Sequence, residues 1–304
     1  MLPSAAACCE WIGRAAASIF QKLDSDIRQS CLLAGLTRVH QHDATGNELH
    51  PPLLWRRTVA SQRWQTSQEA FQLSPCVTCT RRESGFCGAA FRTAPPRPST
   101  NGDQQKFAAV GAGKQLLTQG KSSDYVFVLC AGWAFRYIQV SDGGRQIDRF
   151  LLPGDLFSSL SIFEEAPHFS AKALTTVQIC GFARAELRER CFDDRELQSV
   201  VAQSCLSDGR DAAQLIAILG QCSAEQRIAY LLLHLMRRIA ASQVVRERRY
   251  PFPLRQQHIA DAVGLTPVHV SRVLSLFRER GIVALADGVL EVIDAPALER
   301  IGQL

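Results

Sequence analysis

Three cysteines, Cys76, Cys79 and Cys87, stand in a C-x2-C-x7-C spacing among Pro75, Ser84, Gly85 and Gly88. Thiolates are soft donors, and three of them in one loop can converge on a single metal centre. Iron–sulfur chemistry and structural zinc both use such spacing, so the residues alone leave the two open. A thioredoxin-type redox pair is disfavoured, because no strand–helix–strand pattern surrounds the motif. A fourth ligand must come from elsewhere. In Val177-Gln-Ile-Cys-Gly-Phe182, Cys180 shares a face with Gln178 and opposes Val177 and Ile179. It is therefore expected to point away from the apolar face of a strand. Cys130 shares a face with Val126 and Val128 and reads as a core residue. Cys191, Cys205 and Cys222 read as packing residues on or near a long helix.

A second set of residues has the chemistry to touch nucleic acid. Thr266 is a good helix N-cap and Pro267 a favoured first helical residue. Val268, Ser271 and Arg272 follow at i, i+3 and i+4, so they share one face. Val270, Val273, Leu274 and Phe277 form the opposite, apolar stripe. Arg272 could donate two hydrogen bonds to guanine, and Ser271 could bond a base or a phosphate. His269 and Arg278 complete the candidate DNA-binding set, with Arg255 and Arg280 as further phosphate contacts. From Arg246 onward there are eight Arg or Lys against seven acids, so any positive field is local.

Elements that position these groups can be read from period and punctuation. Leu254 to Val263 has helical spacing, and Gly264-Leu265 supplies a turn into the helix that Thr266 caps. Gly281 ends that helix, and Asp287-Gly288 between two short apolar runs reads as a hairpin wing. The whole is a winged helix-turn-helix, a motif that lays its second helix in the major groove. Further upstream, Tyr125–Cys130, Trp133–Val140, Gln146–Leu152 and Leu174–Phe182 read as short strands. Ser141-Asp-Gly-Gly144 and Pro153-Gly-Asp155 turn between them, which suggests a small antiparallel sandwich or roll. From Asp193 the period becomes helical for nearly thirty residues. Leu197, Val201, Asp208, Asp211, Leu215 and Ile218 fall on one narrow seam, the pattern of a helix that packs on a partner helix. Asp208 and Asp211 would then face their own copies, so the expected dimer is conditional. A second helix spans Ala224 to Ala241.

The expected organisation is thus a weakly ordered extension at 1–70 and a cysteine-rich loop at 71–100. A sensor domain at 101–190, a dimerisation helix at 191–222 and a DNA-binding domain at 223–304 follow. The chain has 304 residues, which suffices for two cores. Its net charge of +5 permits a nucleic-acid partner without demanding one. No run is long and apolar enough to predict a membrane span, and no basic leader precedes an apolar stretch. The 11 cysteines are then expected as reduced thiols in a cytoplasmic protein. His168, His234, His258 and His269 show no nucleophile–base arrangement, so an enzyme is not expected.

The run from Leu254 to Arg272 resembles the helix-turn-helix of the Crp/Fnr regulator family. Asp142-Gly-Gly-Arg-Gln-Ile147 and Leu152-Pro-Gly-Asp-Leu156 are similar to that family's β-roll. The resemblance spans about residues 71–300. It implies an α+β fold: an antiparallel β-roll of the cyclic-nucleotide-binding kind, a long dimerisation helix and a C-terminal winged helix-turn-helix. It also implies a homodimer on a double-stranded DNA operator, with RNA polymerase as a further partner. Members that bind cyclic nucleotides use a Glu and an Arg where this chain has Ser159 and Phe169. Phe169 cannot hold a phosphate, so cyclic AMP is disfavoured.

The oxygen-sensing Fnr branch carries a 4Fe-4S cluster on three N-terminal cysteines and one in the roll. By that resemblance Cys76, Cys79, Cys87 and Cys180 are the metal ligands, with zinc as the alternative. A structural zinc site, or none, would leave another signal such as nitric oxide or a small ligand. The implied mechanism is that the cluster offsets repulsion at Asp208 and Asp211, so the dimer forms without oxygen. At Val268 the family's recognition helices commonly carry Glu, which accepts a hydrogen bond from cytosine. Val268 cannot accept one and is expected instead to pack on a thymine methyl.

Overall fold

The structure is a computed structural model that describes residues 79, 83, 85–92, 105–141, 143–242 and 248–303. The expected extension at 1–70, Cys76 and Asp142 lie outside the described residues. The first described element is a helix, α1 (Gly85–Arg92), where the sequence suggested only a loop. Seven strands follow: β1 (Gln105–Val110), β2 (Gln115–Leu117), β3 (Tyr125–Ala131), β4 (Ala134–Gln139), β5 (Arg145–Leu151), β6 (Ser170–Ala173) and β7 (Val177–Ala183). They form two antiparallel sheets, ordered β1-β7-β3 and β2-β6-β4-β5.

Alternation along the strands explains how the sheets meet. Phe127 and Leu129 of β3, with Val177 and Ile179 of β7, point inward between the sheets. There they meet Ala134, Leu151, Ala171 and Ala173 from the other sheet, and Phe157 and Phe169 fill the middle. The opposite face of the first sheet is also apolar. Val126, Val128, Cys180 and Phe182 pack there under α1 and the helices that follow the roll. Gly132 makes the β3–β4 corner possible: its φ is +81° and an added Cβ would lie 2.3 Å from the Thr176 carbonyl oxygen.

Two helices leave the roll, α2 (Arg184–Asp193) and the 27-residue α3 (Arg195–Gln221). Asp194 caps α3, its Oδ1 accepting from the Glu196 and Leu197 N–H groups at 3.0 Å. The seam expected to face a partner faces the chain's own roll instead. Leu197 and Val201 are buried with Phe86, Val128 and Cys180. Ile218 is also buried, and Leu215 is half-buried. Asp208 pairs with Arg149 of β5 and lies 3.6 Å from Arg136 of β4, and Asp211 lies 3.3 Å from Arg149. Leu197, Val201 and Ile218 are thus buried within the single chain, and the Asp208 and Asp211 carboxylates are compensated there by Arg149 and Arg136.

The C-terminal part begins with α4 (Ala224–Ser242), followed by β8 (Arg249–Pro251), α5 (Gln256–Val263) and α6 (Pro267–Glu279). The wing, β9 (Val283–Ala286) and β10 (Val289–Val292), turns at Asp287 and Gly288, both at positive φ. That is the geometry a two-residue hairpin favours. β8 adds a third strand beside β10, and α7 (Ala295–Gly302) packs back on α4.

This half shares its core with the roll. Trp133, Phe135, Ile147, Phe150 and Leu152, on the outer face of the four-stranded sheet, join one apolar cluster with Ile228, Leu232, Ile239 and Ile259. Polar contacts reinforce the seam. Arg145 Nε donates to Asp261 at 2.8 Å, and Gln146 Nε2 to the Ala262 carbonyl at 3.0 Å. Arg238 of α4 donates to the Phe150 carbonyl at 2.7 Å and pairs with Asp155.

Candidate nucleic-acid interface and thiol pocket

The recognition helix α6 is fixed at its start and along one side. Thr266 Oγ1 accepts from the His269 N–H at 3.3 Å, and Pro267 occupies the first turn. Val270, Val273 and Phe277 are buried against α4, α5 and the wing, while Leu274 is only half-buried. Gly264 makes the turn from α5 at φ +64°, and an added Cβ there would crowd Leu219 at 3.2 Å.

The other side of α6 is open. Val268 is 62% exposed, and His269, Arg272 and Arg278 are exposed with it. Ser271 is half-buried on the same face. A shallow groove beside this face is lined by Gln256, Val268, Ser271, Arg272 and Ser275 among others. Gln256 and Ser275 were not singled out from the sequence. Gln256 opens α5, and its neighbourhood with α6 depends on the angle between helices, which spacing does not give. Arg280, expected at a phosphate, is instead within 3.1 Å of Glu225 of α4. His258, on α5, serves structure: its Nδ1 accepts from the Arg255 N–H at 3.1 Å. Burial and the Arg145 guanidinium push its pKa down, which keeps that acceptor available.

The thiols gather around the outer face of the first sheet. Cys87 on α1 and Cys180 on β7 are both buried in one apolar cluster. Phe86 and Phe91 seat α1 by packing on Phe182, with ring centroids 5.6 and 5.5 Å away. Arg190 of α2 also donates to the Ala90 carbonyl at 2.8 Å. Cys180 does lie opposite Val177 and Ile179, as expected, but it is 1% exposed rather than open. Cys130 borders the same cluster, so the two cysteines that alternation seemed to separate share a neighbourhood. Cys79 is half-buried. Cys205 of α3 donates to Ser159 Oγ at 3.2 Å, and burial raises the pKa of Cys191. Among the described residues, no three His, Cys, Asp or Glu side chains stand together as a metal site.

The positions that match nucleotide-binding residues are taken up by packing. Ser159 and Phe169 are buried. The Arg136 guanidinium lies 4.9 Å from the Phe169 ring centre, and it donates to the Phe157 carbonyl at 2.9 Å. The solvent side of α3 carries a different pattern. Ala202, Leu206, Gly209, Ala213, Ile216 and Gly220 are all exposed and recur at four- and three-residue steps. Leu206 and Ile216 are 60% and 72% exposed. This is the spacing of a helix–helix seam built on small and apolar residues.

Comparison with known proteins agrees with both halves. Residues 226–301 match the Crp-like helix-turn-helix domain, and residues 108–194 match the cyclic nucleotide-binding domain. The nitrogen fixation regulation protein FixK of Rhizobium meliloti (strain 1021) is 30% identical over 207 residues, 67% of this chain and 90% of that relative. The transcriptional activator protein FnrA of Stutzerimonas stutzeri is 28% identical over 187 residues, 61% of this chain and 76% of that relative. The solved structure of FixK2 from Bradyrhizobium japonicum has the same fold, with a TM-score of 0.60 and 23% identity. It covers 66% of this chain and 98% of that one.

Proposed function

The chain belongs to the Crp/Fnr family of transcription regulators, and from that membership we propose an activator that binds operator DNA as a homodimer and takes oxygen as its signal. The DNA reading is carried by one observation. Val268, Ser271 and Arg272 share the open face of a helix whose cap and buried side leave it no freedom to turn away. Such a helix enters the major groove by its N-terminal turns, where Arg272 donates to guanine and Ser271 to a base or phosphate.

The homodimer forms along the exposed stripe from Ala202 to Gly220. Small residues let two α3 helices approach closely, and Leu206 and Ile216 supply the apolar contact. The stripe has no carboxylate, so repulsion between Asp208 and Asp211 of two copies does not gate assembly. Pairing along α3 sets two recognition helices on half-sites about one helical turn apart.

The proposed sensor is a 4Fe-4S cluster held by Cys76, Cys79, Cys87 and Cys180. Support comes from the donor chemistry and from the apolar cluster in which Cys87 and Cys180 are both buried. When bound, the cluster supplies iron–sulfur bonds that oxygen breaks. The chain's own residues couple that loop to the dimer helix. Phe86 and Phe91 hold α1 on Phe182, and α1 packs against Leu197 and Val201 of α3. Disorder in α1 would uncover both of these residues.

The test is purification of the full chain without air, with iron, sulfide and zinc assays. Operator binding is then measured before and after air. Iron and sulfide in similar amounts, and DNA binding lost on exposure to air, are expected. Cys180→Ala should lose the iron and the oxygen response together. Zinc without iron, and binding indifferent to air, would overturn the oxygen reading and leave the regulator reading intact.

A further inference from the structure

The first turn of α6 presents an apolar side chain where a base-reading group belongs. Val268 is 62% exposed, on the face it shares with Ser271 and Arg272. Thr266 and Pro267 immediately before it fix the backbone, and branching at Cβ restricts its rotamers. A rigid apolar surface is thus aimed at the groove. It has no donor for guanine or for the thymine O4, and no acceptor for the adenine or cytosine amino group. The one apolar group on the major-groove edge of the four base pairs is the thymine C5-methyl. Against any other edge, Val268 would displace water from polar atoms without replacing its hydrogen bonds.

We propose that Val268 is a methyl reader, which selects a C5-methylated pyrimidine at one position of each half-site and accepts 5-methylcytosine as well as thymine. It contacts the methyl group and makes no hydrogen bond to the neighbouring O4 or N4, so it does not distinguish the two bases by that atom. DNA binding by this chain would then respond to cytosine methylation within its operator. Gln256 borders the same groove and supplies the hydrogen-bonding capacity that Val268 lacks. This inference rests on the DNA-binding reading above.

The experiment uses the full chain, purified without air, and a duplex recovered by binding selection from a randomised pool. Each thymine of the half-site is replaced in turn by uracil, cytosine and 5-methylcytosine. At one position, uracil should weaken binding about fourfold relative to thymine, the effect of one buried methyl. At that position 5-methylcytosine should exceed cytosine by a similar factor. Both differences should vanish in Val268→Ala, whose thermal melt should be unchanged because the side chain is exposed. Val268→Glu should come to prefer unmethylated cytosine there. A tight duplex whose thymines all tolerate uracil would overturn the methyl reader and leave DNA binding standing. Methyl dependence that persists in Val268→Ala would overturn the assignment to this residue. Failure to enrich any duplex would refute the DNA-binding reading itself, and this inference with it.

Discussion

At the scale of single residues, the recognition helix depends on Thr266. Its hydroxyl satisfies one of the N–H groups that a helix start leaves unpaired. Thr266→Ala is expected to cost about 1 kcal/mol of stability in the DNA-binding half. A thermal melt would show it, with weaker operator binding because the turn bearing Val268 frays. This cap was legible in the sequence, since Thr-Pro before an apolar stripe and Gly before Thr each have one local meaning. Cys180 was only half legible. Alternation placed it correctly opposite Val177 and Ile179, but gave no sign that its own face, which carries Gln178, is partly covered. Helices cover that second face at Cys180 and Phe182 and leave Gln178 open. Whether a helix lies over a strand is a tertiary fact that period two does not encode.

At the scale of elements, α3 has two stripes with opposite tasks. The one with larger residues and two aspartates was the more conspicuous in the sequence, and it was read as the partner-facing seam. Its partner is the roll of the same chain: Arg149 of β5 stands 59 residues before Asp208 in sequence. The exposed stripe, made mostly of Ala and Gly, offers little hydrophobic signal and was passed over. The two assignments predict opposite phenotypes. Ile216→Glu should shift the chain from dimer to monomer in sedimentation and lower the melt only by the stability that association supplied. Asp208→Ala should leave Arg149 and Arg136 undercompensated in a partly buried site, at a cost of about 2–3 kcal/mol. If Asp208→Ala instead tightened the dimer without lowering stability, the carboxylate would belong to the interface after all.

At the scale of the whole molecule, charged groups line the junction of roll, α3 and α4. His234 of α4 lies among them, near Arg238, Arg149 and Arg237, and stacks on Tyr230. Burial first, then these cations, lower its pKa from 6.5 to about 4, against the opposing pull of Asp211. The unfolded chain therefore takes up this proton at higher pH than the folded one. His234 contributes full stability above pH 6.5, and that contribution is lost as pH falls from 6.5 towards about 4. Melts recorded across this window should show the loss, and His234→Gln should flatten the slope. A slope that is unchanged in the variant would assign the acid sensitivity to other groups.

The shared core of roll and reading head has a thermodynamic corollary. Phe135 and Ile147 pack with Ile259, while Arg145 and Gln146 hold Asp261 and the Ala262 carbonyl. An event that repositions the roll must disturb α5, and an event that repositions α5 must disturb the roll. Coupling free energy is reciprocal: if the signal changes affinity for DNA by some factor, DNA changes affinity for the signal by the same factor. Under the proposed function, operator DNA would then itself be an effector of the sensor. Chains on their operators and chains free in solution would switch at different signal levels, and the number of operators available would help set the threshold.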